Sequence, residues 1–209
     1  MVTRMPPYVV IEGCIGVGKT TMAIELSKRL NANALIEDTS ACPFITEFYI
    51  DPKSNALETE LSFVILHYHQ ISNAMRNRLF EQTIISDFFF DKDLVFPRVT
   101  LERKEDIEIV TQLWKKLREK IPSPDIVVYL DAPTEFLYSR VKRRARAFEL
   151  PMTFDYLDRL NRAYKEFMQG YDRCELVVLD GTKLDKDSHL DPFERVEQLL
   201  KDRLIIGRK

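Results

Sequence analysis

The chain has 209 residues, 45% of them hydrophobic, with 31 basic against 33 acidic side chains and a net charge of −2. That length and apolar content suit one large domain over residues 1–209, and a pI near 6.0 gives no global electrostatic reason to expect nucleic acid or an anionic membrane as partner. Cys14, Cys42 and Cys174 are odd in number without ligand-like spacing, no signal-peptide pattern opens the chain, and stretches such as Leu61 to Leu66 are too short to cross a bilayer, so a cytoplasmic protein is expected.

The first apolar run, 8–12 (Tyr-Val-Val-Ile-Glu), leads into Gly13-Cys14-Ile15-Gly16-Val17-Gly18-Lys19-Thr20-Thr21, where half of the six glycines fall. This matches G-x-x-x-x-G-K-[ST], and a helical pattern, Met22, Ala23, Leu26 and Leu30, follows it. Strand, loop and helix are the context a phosphate-binding loop requires. Without side chains at Gly13, Gly16 and Gly18 the backbone can turn successive N–H groups and the helix N-terminus toward an anion. Lys19 then adds charge at the β/γ-phosphates, and the Thr20 hydroxyl can ligand Mg²⁺.

Further short, mostly uninterrupted apolar runs occupy 34–37, 83–87, 125–131 and 175–180. With helical segments between them they predict an α/β fold, a five-stranded parallel sheet covered by helices. The longest helix follows Pro52, with Leu57, Leu61, Val64, Ile65, Tyr68, Ile71, Met75 and Leu79 at three- and four-residue steps as a mostly buried stripe. Others are expected at about 101–120, 154–171 and 192–204.

Ligands of open parallel sheets lie outside the carboxyl ends of the strands, where three runs end in acids: Glu37 with Asp38, Asp87 and Asp131. An acid there can cap a helix, hold a metal shell or take a proton from an attacking hydroxyl. The segment Arg140-Val-Lys-Arg-Arg-Ala-Arg146 packs five cations into seven residues. It reads as a solvated helix face, as a lid over a triphosphate at about 140–151, or, less well, as a nucleic-acid patch.

These residues resemble the deoxynucleoside kinase family of P-loop phosphotransferases, and within it the bacterial deoxyguanosine kinases. The similarity runs nearly end to end: the loop at 11–21, Pro43-Phe44, Phe48-Tyr49 and Asp51-Pro52 before the long helix, Ile85 to Phe96, R-x-x-x-R-x-R-x-x-E at Arg140, Arg144, Arg146 and Glu149, and Leu179-Asp180-Gly181-Thr182. The resemblance implies transfer of the γ-phosphoryl group of ATP, with Mg²⁺, to the 5′-hydroxyl of a deoxynucleoside, by a homodimer. It implies that Lys19 and Thr20 keep their phosphate and metal roles, that Asp87 is the general base, and that Glu37 approaches the 5′-hydroxyl. Tyr49 and Glu149 bind the sugar 3′-hydroxyl, Arg144 and Arg146 the transferring phosphate, and Asp180 and Gly181 lie near the donor adenine. Phe44, Tyr49 and Phe89 line the base, with core packing as the rival role for these rings.

Several positions depart from the family's pattern. Many members carry Glu-Arg at the third-strand end, where Ser86-Asp87-Phe88 stands here; Ala145 replaces a usual Gly; Glu60 replaces a base-reading Gln; and His67 replaces an Arg. Glu60 fits deoxyguanosine, because a carboxylate offers two acceptors to guanine's adjacent N1–H and N2–H₂ donors. The alternatives are a thymidylate or other nucleoside monophosphate kinase, which would want an arginine where Phe88 stands, and a non-catalytic nucleotide-binding subunit on the same fold.

Overall fold

β-branched runs without polar interruption pair stably where both faces are covered, and they do so at the centre of this molecule. The computed structural model describes residues 6–77, 79–184 and 192–206. Within them β1 (Tyr8–Glu12), β2 (Asn33–Leu35), β3 (Ile84–Ser86), β4 (Ile126–Asp131) and β5 (Glu175–Asp180) form one sheet in the order β2-β3-β1-β4-β5, every pairing parallel. Val9 of β1 stands opposite Ile85 of β3, and Val10 opposite Val127 of β4. β1 and β3 are buried throughout and β4 up to its last residue, whereas the edge strand β5 keeps Val178 at 58% exposure.

The helices are α1 (Lys19–Leu30), α2 (Ile45–Ile50), α3 (Pro52–Arg76), α4 (Pro97–Thr100), α5 (Lys104–Arg118), α6 (Thr134–Arg144), α7 (Phe154–Gln169) and α8 (Pro192–Ile206). α1 packs on β1, β3 and α8, α3 on α2 and α5, and α6 on α7. Pro52 at the first turn of α3, with the Asp51 carboxylate accepting from the Lys53 N–H, fixes where the long helix starts.

Three expectations change. The helix expected over 101–120 is present as α5 but starts later, at Lys104, because Leu101 and Arg103 are extended; its first turn holds Glu105 and Asp106 and its last Lys115, Lys116 and Arg118, matching the helix dipole. β2 stops at Leu35, so Glu37 lies beyond its end. The buried stripe of α3 is also not the one apolar periodicity marks: it runs Ala56, Glu60, Val64, His67, Ile71 and Ala74, while Ile65 and Met75 are 43% and 42% exposed. Two polar residues sit on the inner face at helical spacing, which displaces the apolar pattern onto its flank.

Candidate active site

The loop after β1 wraps an anion-sized cradle for steric reasons that begin with its glycines. Gly13, Gly16 and Gly18 have φ of 153°, 91° and 109°, a region side chains rarely enter. A Cβ on Gly13 would lie 2.6 Å from the Leu130 carbonyl oxygen of β4, and one on Gly16 2.8 Å from that of Leu137 in α6. Lys19 folds back over the loop, its Nζ donating to the Gly13 carbonyl at 2.7 Å. Beneath it the fully buried Glu12 accepts from the Gly13 N–H at 2.7 Å and lies 3.9 Å from Lys19 Nζ; burial raises its carboxyl above the usual range. Cys14 is buried, which pushes its thiol up to about 12 and makes it a poor nucleophile.

Asp87, directly after β3, joins the loop to the acceptor side. One carboxylate oxygen accepts from the Thr20 hydroxyl at 2.5 Å and the other from the Glu37 backbone N–H at 2.7 Å. Both oxygens are engaged. The first bond brings a carboxylate and a hydroxyl, two hard oxygen donors, together at the mouth of the phosphate loop, a set that suits a hard divalent cation also bound by phosphates. Among the described residues no three His, Cys, Asp or Glu side chains cluster as a metal site.

A cavity of about 540 Å³ opens beside this junction, and four charged groups from three segments meet on its wall. Glu37 Oε1 accepts from Lys92 Nζ at 2.5 Å and from His67 Nε2 at 2.7 Å. His67 Nδ1 lies 2.9 Å from both carboxylate oxygens of Asp93. The imidazole is held flat between Phe88 and Phe63, ring centroids 5.0 and 5.5 Å away. Burial pushes His67 down, but the Asp93 and Glu37 carboxylates outweigh it and raise the ring to about 9, so it is a cation at neutral pH. For Glu37, burial acts upward and is overcome by Lys92 and His67, which hold the carboxyl well below the ordinary range.

Lys92 and Asp93 reach the cavity because their turn, Phe90–Leu94, is clamped from behind. Asp91, fully buried, accepts from Arg118 and Arg173 at 3.1 Å each, and Trp114 Nε1 donates to the Phe90 carbonyl at 3.1 Å. Lys92 and Asp93 are themselves nearly buried.

Deeper along α3, Glu60 is 4% exposed. The Thr100 hydroxyl donates to its Oε1 at 2.8 Å, while Oε2 takes no hydrogen bond among the described residues. Burial is the main reason its carboxyl is raised to about 8, with Asp93 adding to it against the Thr100 bond. Phe48, Tyr49, Phe96, Tyr156 and Tyr164 supply flat apolar walls around it.

The arginine-rich segment is two structures rather than one. Arg140 to Arg144 form the last turns of α6, and Ala145 ends the helix with φ 52° and ψ 43°. A short turn, Ala147–Glu149, follows. The Arg144 guanidinium donates to both oxygens of Glu149 at 2.6 Å, and Arg146 lies 3.7 Å away on the same carboxylate. Arg140, Arg143, Arg144, Arg146 and Glu149 all line the cavity. A positive φ at a non-glycine residue is a geometry that glycine adopts without steric cost.

The structure therefore brings together Ile15, Gly16, Gly18, Lys19, Thr20, Thr21, Glu37, Tyr49, Glu60, His67, Asp87, the arginines and Glu149. It does not bring Phe89, which is in the core with its ring 5.3 Å from Tyr171, nor Phe44, which stands at the start of α2 outside the lining. The reason is local: Phe48 and Tyr49, on the following helical turns, already fill that wall. Asp180 and Gly181 lie behind the loop, where a Cβ on Gly181 would come within 2.5 Å of Val17 Cγ2. Sequence reasoning missed Lys92, Asp93 and Thr100. A lysine between two aspartates on a predicted turn reads as solvated surface, and only the burial of Asp91 shows otherwise.

With the geometry established, comparison with known proteins gives a consistent result. The family model described as deoxynucleoside kinase matches residues 9–203. A deoxyguanosine kinase of Bacillus subtilis (strain 168) is 27% identical, over 95% of this chain and 98% of that protein. One from Lactobacillus acidophilus is 30% identical, over 94% and 90% respectively. Among solved structures, the deoxyadenosine kinase from M. mycoides with products dCMP and dCDP bound superposes with a TM-score of 0.78 at 25% identity, over 94% of this chain and 98% of that one.

Proposed function

The chain belongs to the deoxynucleoside kinase family, and we propose that it phosphorylates the 5′-hydroxyl of deoxyguanosine with ATP as donor. In this reading the 5′-oxygen forms a bond to the γ-phosphorus, the bond to the β,γ-bridging oxygen breaks, and the hydroxyl proton passes to the Glu37 carboxylate. Glu37 is the better acceptor of the two carboxylates because its Oε2 has no partner among the described residues, whereas both oxygens of Asp87 are engaged. Lys19 and the arginines 140, 144 and 146 face the charge that develops on the phosphoryl oxygens. Thr20 and Asp87 would hold Mg²⁺, which when bound offsets phosphate charge. Tyr49 and Glu149 face the sugar.

Glu60 carries the choice of base. Its Oε1 accepts from Thr100 while Oε2 takes no hydrogen bond among the described residues, and guanine presents two adjacent donors to a carboxylate. Adenine or cytosine would set a lone pair against it, a mismatch costing about 1–3 kcal/mol or more for a charged group. A coupled ATP-consumption assay across the deoxynucleosides and their monophosphates tests this. Above about pH 8, where Glu60 is a carboxylate, deoxyguanosine should be best and deoxyinosine intermediate, and Glu60→Gln should narrow the gap by improving deoxyadenosine and deoxycytidine. A preference for deoxyadenosine or thymidine, or a profile untouched by Glu60→Gln, would sink the assignment. Monophosphates should be poor acceptors, since Phe88 is fully buried against His67 and offers no charge to a second phosphate.

We further propose a homodimer of single-domain subunits working in the cytoplasm. The exposed apolar residues Ile65 and Met75 of α3, with Ile109 of the adjoining α5 at 50% exposure, support a subunit interface. Three unpaired cysteines support a reducing compartment. No described helix is long and apolar enough to cross a membrane.

A further inference from the structure

The Glu37 carboxylate is bound asymmetrically. Lys92 Nζ at 2.5 Å and His67 Nε2 at 2.7 Å both reach Oε1, and nothing among the described residues binds Oε2. Each cation is fixed from outside. His67 is clamped by Asp93 and by two aromatic rings, and Lys92 by the turn that Asp91 ties to Arg118 and Arg173. A glutamate of three free torsions held at one oxygen by two such anchors has little freedom to turn its second oxygen, and Glu37 lines the cavity.

We propose that Lys92 is a positioning residue for phosphoryl transfer: with His67 it fixes Glu37 by Oε1 so that Oε2 is the oxygen presented to the acceptor hydroxyl. Lys92 and His67 supply two positive charges against the two negative charges of Glu37 and Asp93, so the cluster is balanced in a place almost closed to water. Lys92 is 7% exposed along its side chain and His67 1%. His67 alone leaves Glu37 with a single anchor, about which the carboxylate can pivot. Lys92 supplies the second and stops the rotation. In this role Lys92 acts through Glu37, so the effect should fall on turnover rather than on nucleoside binding.

This inference rests on Glu37 receiving the proton, and the test separates the two ideas. Steady-state kinetics with deoxyguanosine and ATP are measured for Lys92→Met, Lys92→Arg, Glu37→Gln and the double variant Glu37→Gln with Lys92→Met, each checked for a native melting transition. Lys92→Met should lower kcat by about 10- to 100-fold, the scale of losing orientation at a reacting group, with KM for the nucleoside within about threefold. Lys92→Arg, which keeps the cation, should recover most of the loss, and it decides the matter if Lys92→Met does not fold. The double variant should be no slower than Glu37→Gln, because an anchor has no value once the anchored group is gone. If Glu37→Gln keeps near wild-type turnover, the reading of Glu37 fails. If Glu37→Gln is slow while Lys92→Met turns over at the wild-type rate, or costs the same factor in the Glu37→Gln background, Lys92 only fills space and the inference is overturned.

Discussion

The donor and acceptor halves of this site are built by opposite means. The phosphate loop is made of backbone: the six residues between β1 and α1, three of them glycines at positive φ, curl together, and the Lys19 side chain folds back across them. The acceptor side is made of side chains. Glu37, His67, Lys92 and Asp93 come from segments up to 56 residues apart and meet through charge and hydrogen bonds, with the His67 ring stacked on Phe63 and Phe88. A backbone site is specified by residues that lack side chains and tolerates no addition. A side-chain site is specified by partners, as the two cations Lys92 and His67 that share Glu37 Oε1 show.

The comparison breaks most sharply at the two carboxylates where the halves touch. Glu37→Gln keeps shape and removes basicity, and kcat should fall roughly 10²- to 10⁴-fold, the usual range for a general base. Asp87→Asn weakens the Thr20 contact instead. Its signature should be a raised Mg²⁺ requirement, read from activity against metal concentration, with turnover at saturating metal closer to wild type than that of Glu37→Gln. The opposite pattern, with Asp87→Asn slow at every metal concentration and Glu37→Gln fast, would return the base to Asp87.

On the donor side Lys19→Ala should lower kcat by about 10²- to 10³-fold, the loss of one preorganised charge partner, while circular dichroism and the melting transition stay native. Lys19 bonds to the loop's carbonyls through its ammonium, but the loop's shape is held by the contacts of Gly13 and Gly16 with β4 and α6. Near wild-type turnover in this variant would make the loop a structural turn.

This division also decides what the sequence discloses. The loop is legible because its determinants are contiguous and its residue types have no other common use in that order. The sheet is legible because β1, β3 and β4 are buried runs that are apolar except near their carboxyl ends. The acceptor side is partly hidden. Glu60 and His67 stand out only by comparison with related sequences, since a charged residue on a helix reads as surface, and α3 turns both inward. Lys92 and Asp93 are hidden altogether, because nothing local says that Asp91 between them and the aromatic run will be buried against Arg118 and Arg173. The α6 terminus is a middle case: five cations suggested a face or a lid, and the chain is helical to Arg144 and turned beyond it.

A smaller effect sharpens the acceptor half. Glu60, raised to about 8, is mostly a neutral acid below that pH and a carboxylate above it. As an acid it offers one donor and one acceptor, which suits N1 and N6–H₂ of adenine; as a carboxylate it offers two acceptors, which suits guanine. Of the groups facing it, Asp93 raises the carboxyl, and the Thr100 hydrogen bond, His67 and Lys92 lower it. The ratio of kcat/KM for deoxyguanosine over deoxyadenosine should therefore climb roughly tenfold as pH rises from 6.5 to 9. In Glu60→Gln the ratio should be flat. A ratio independent of pH in the wild type would mean that Glu60 does not meet the base edge.

The smallest effect compares two left-handed residues of the donor half, Gly16 at φ 91° and Ala145 at φ 52°. A methyl group at that backbone geometry costs about 1–2 kcal/mol, and a glycine costs roughly 0.4–1 kcal/mol through the freedom it adds to the unfolded chain. Ala145→Gly should thus stabilise the protein by about 0.5 kcal/mol, a rise in Tm of roughly 1–2 °C for a chain of this size. Gly16→Ala adds the same methyl where the Leu137 carbonyl stands 2.8 Å away, and it should lower Tm clearly more than Ala145→Gly raises it. The asymmetry follows from the surroundings: Ala145 ends an exposed helix whose last turn can adjust, while Gly16 is pressed against the backbone of α6. A fall in Tm on Ala145→Gly would show that the helix end is not left-handed in solution, and with it that the bend aiming Arg144 and Arg146 at Glu149 has another origin.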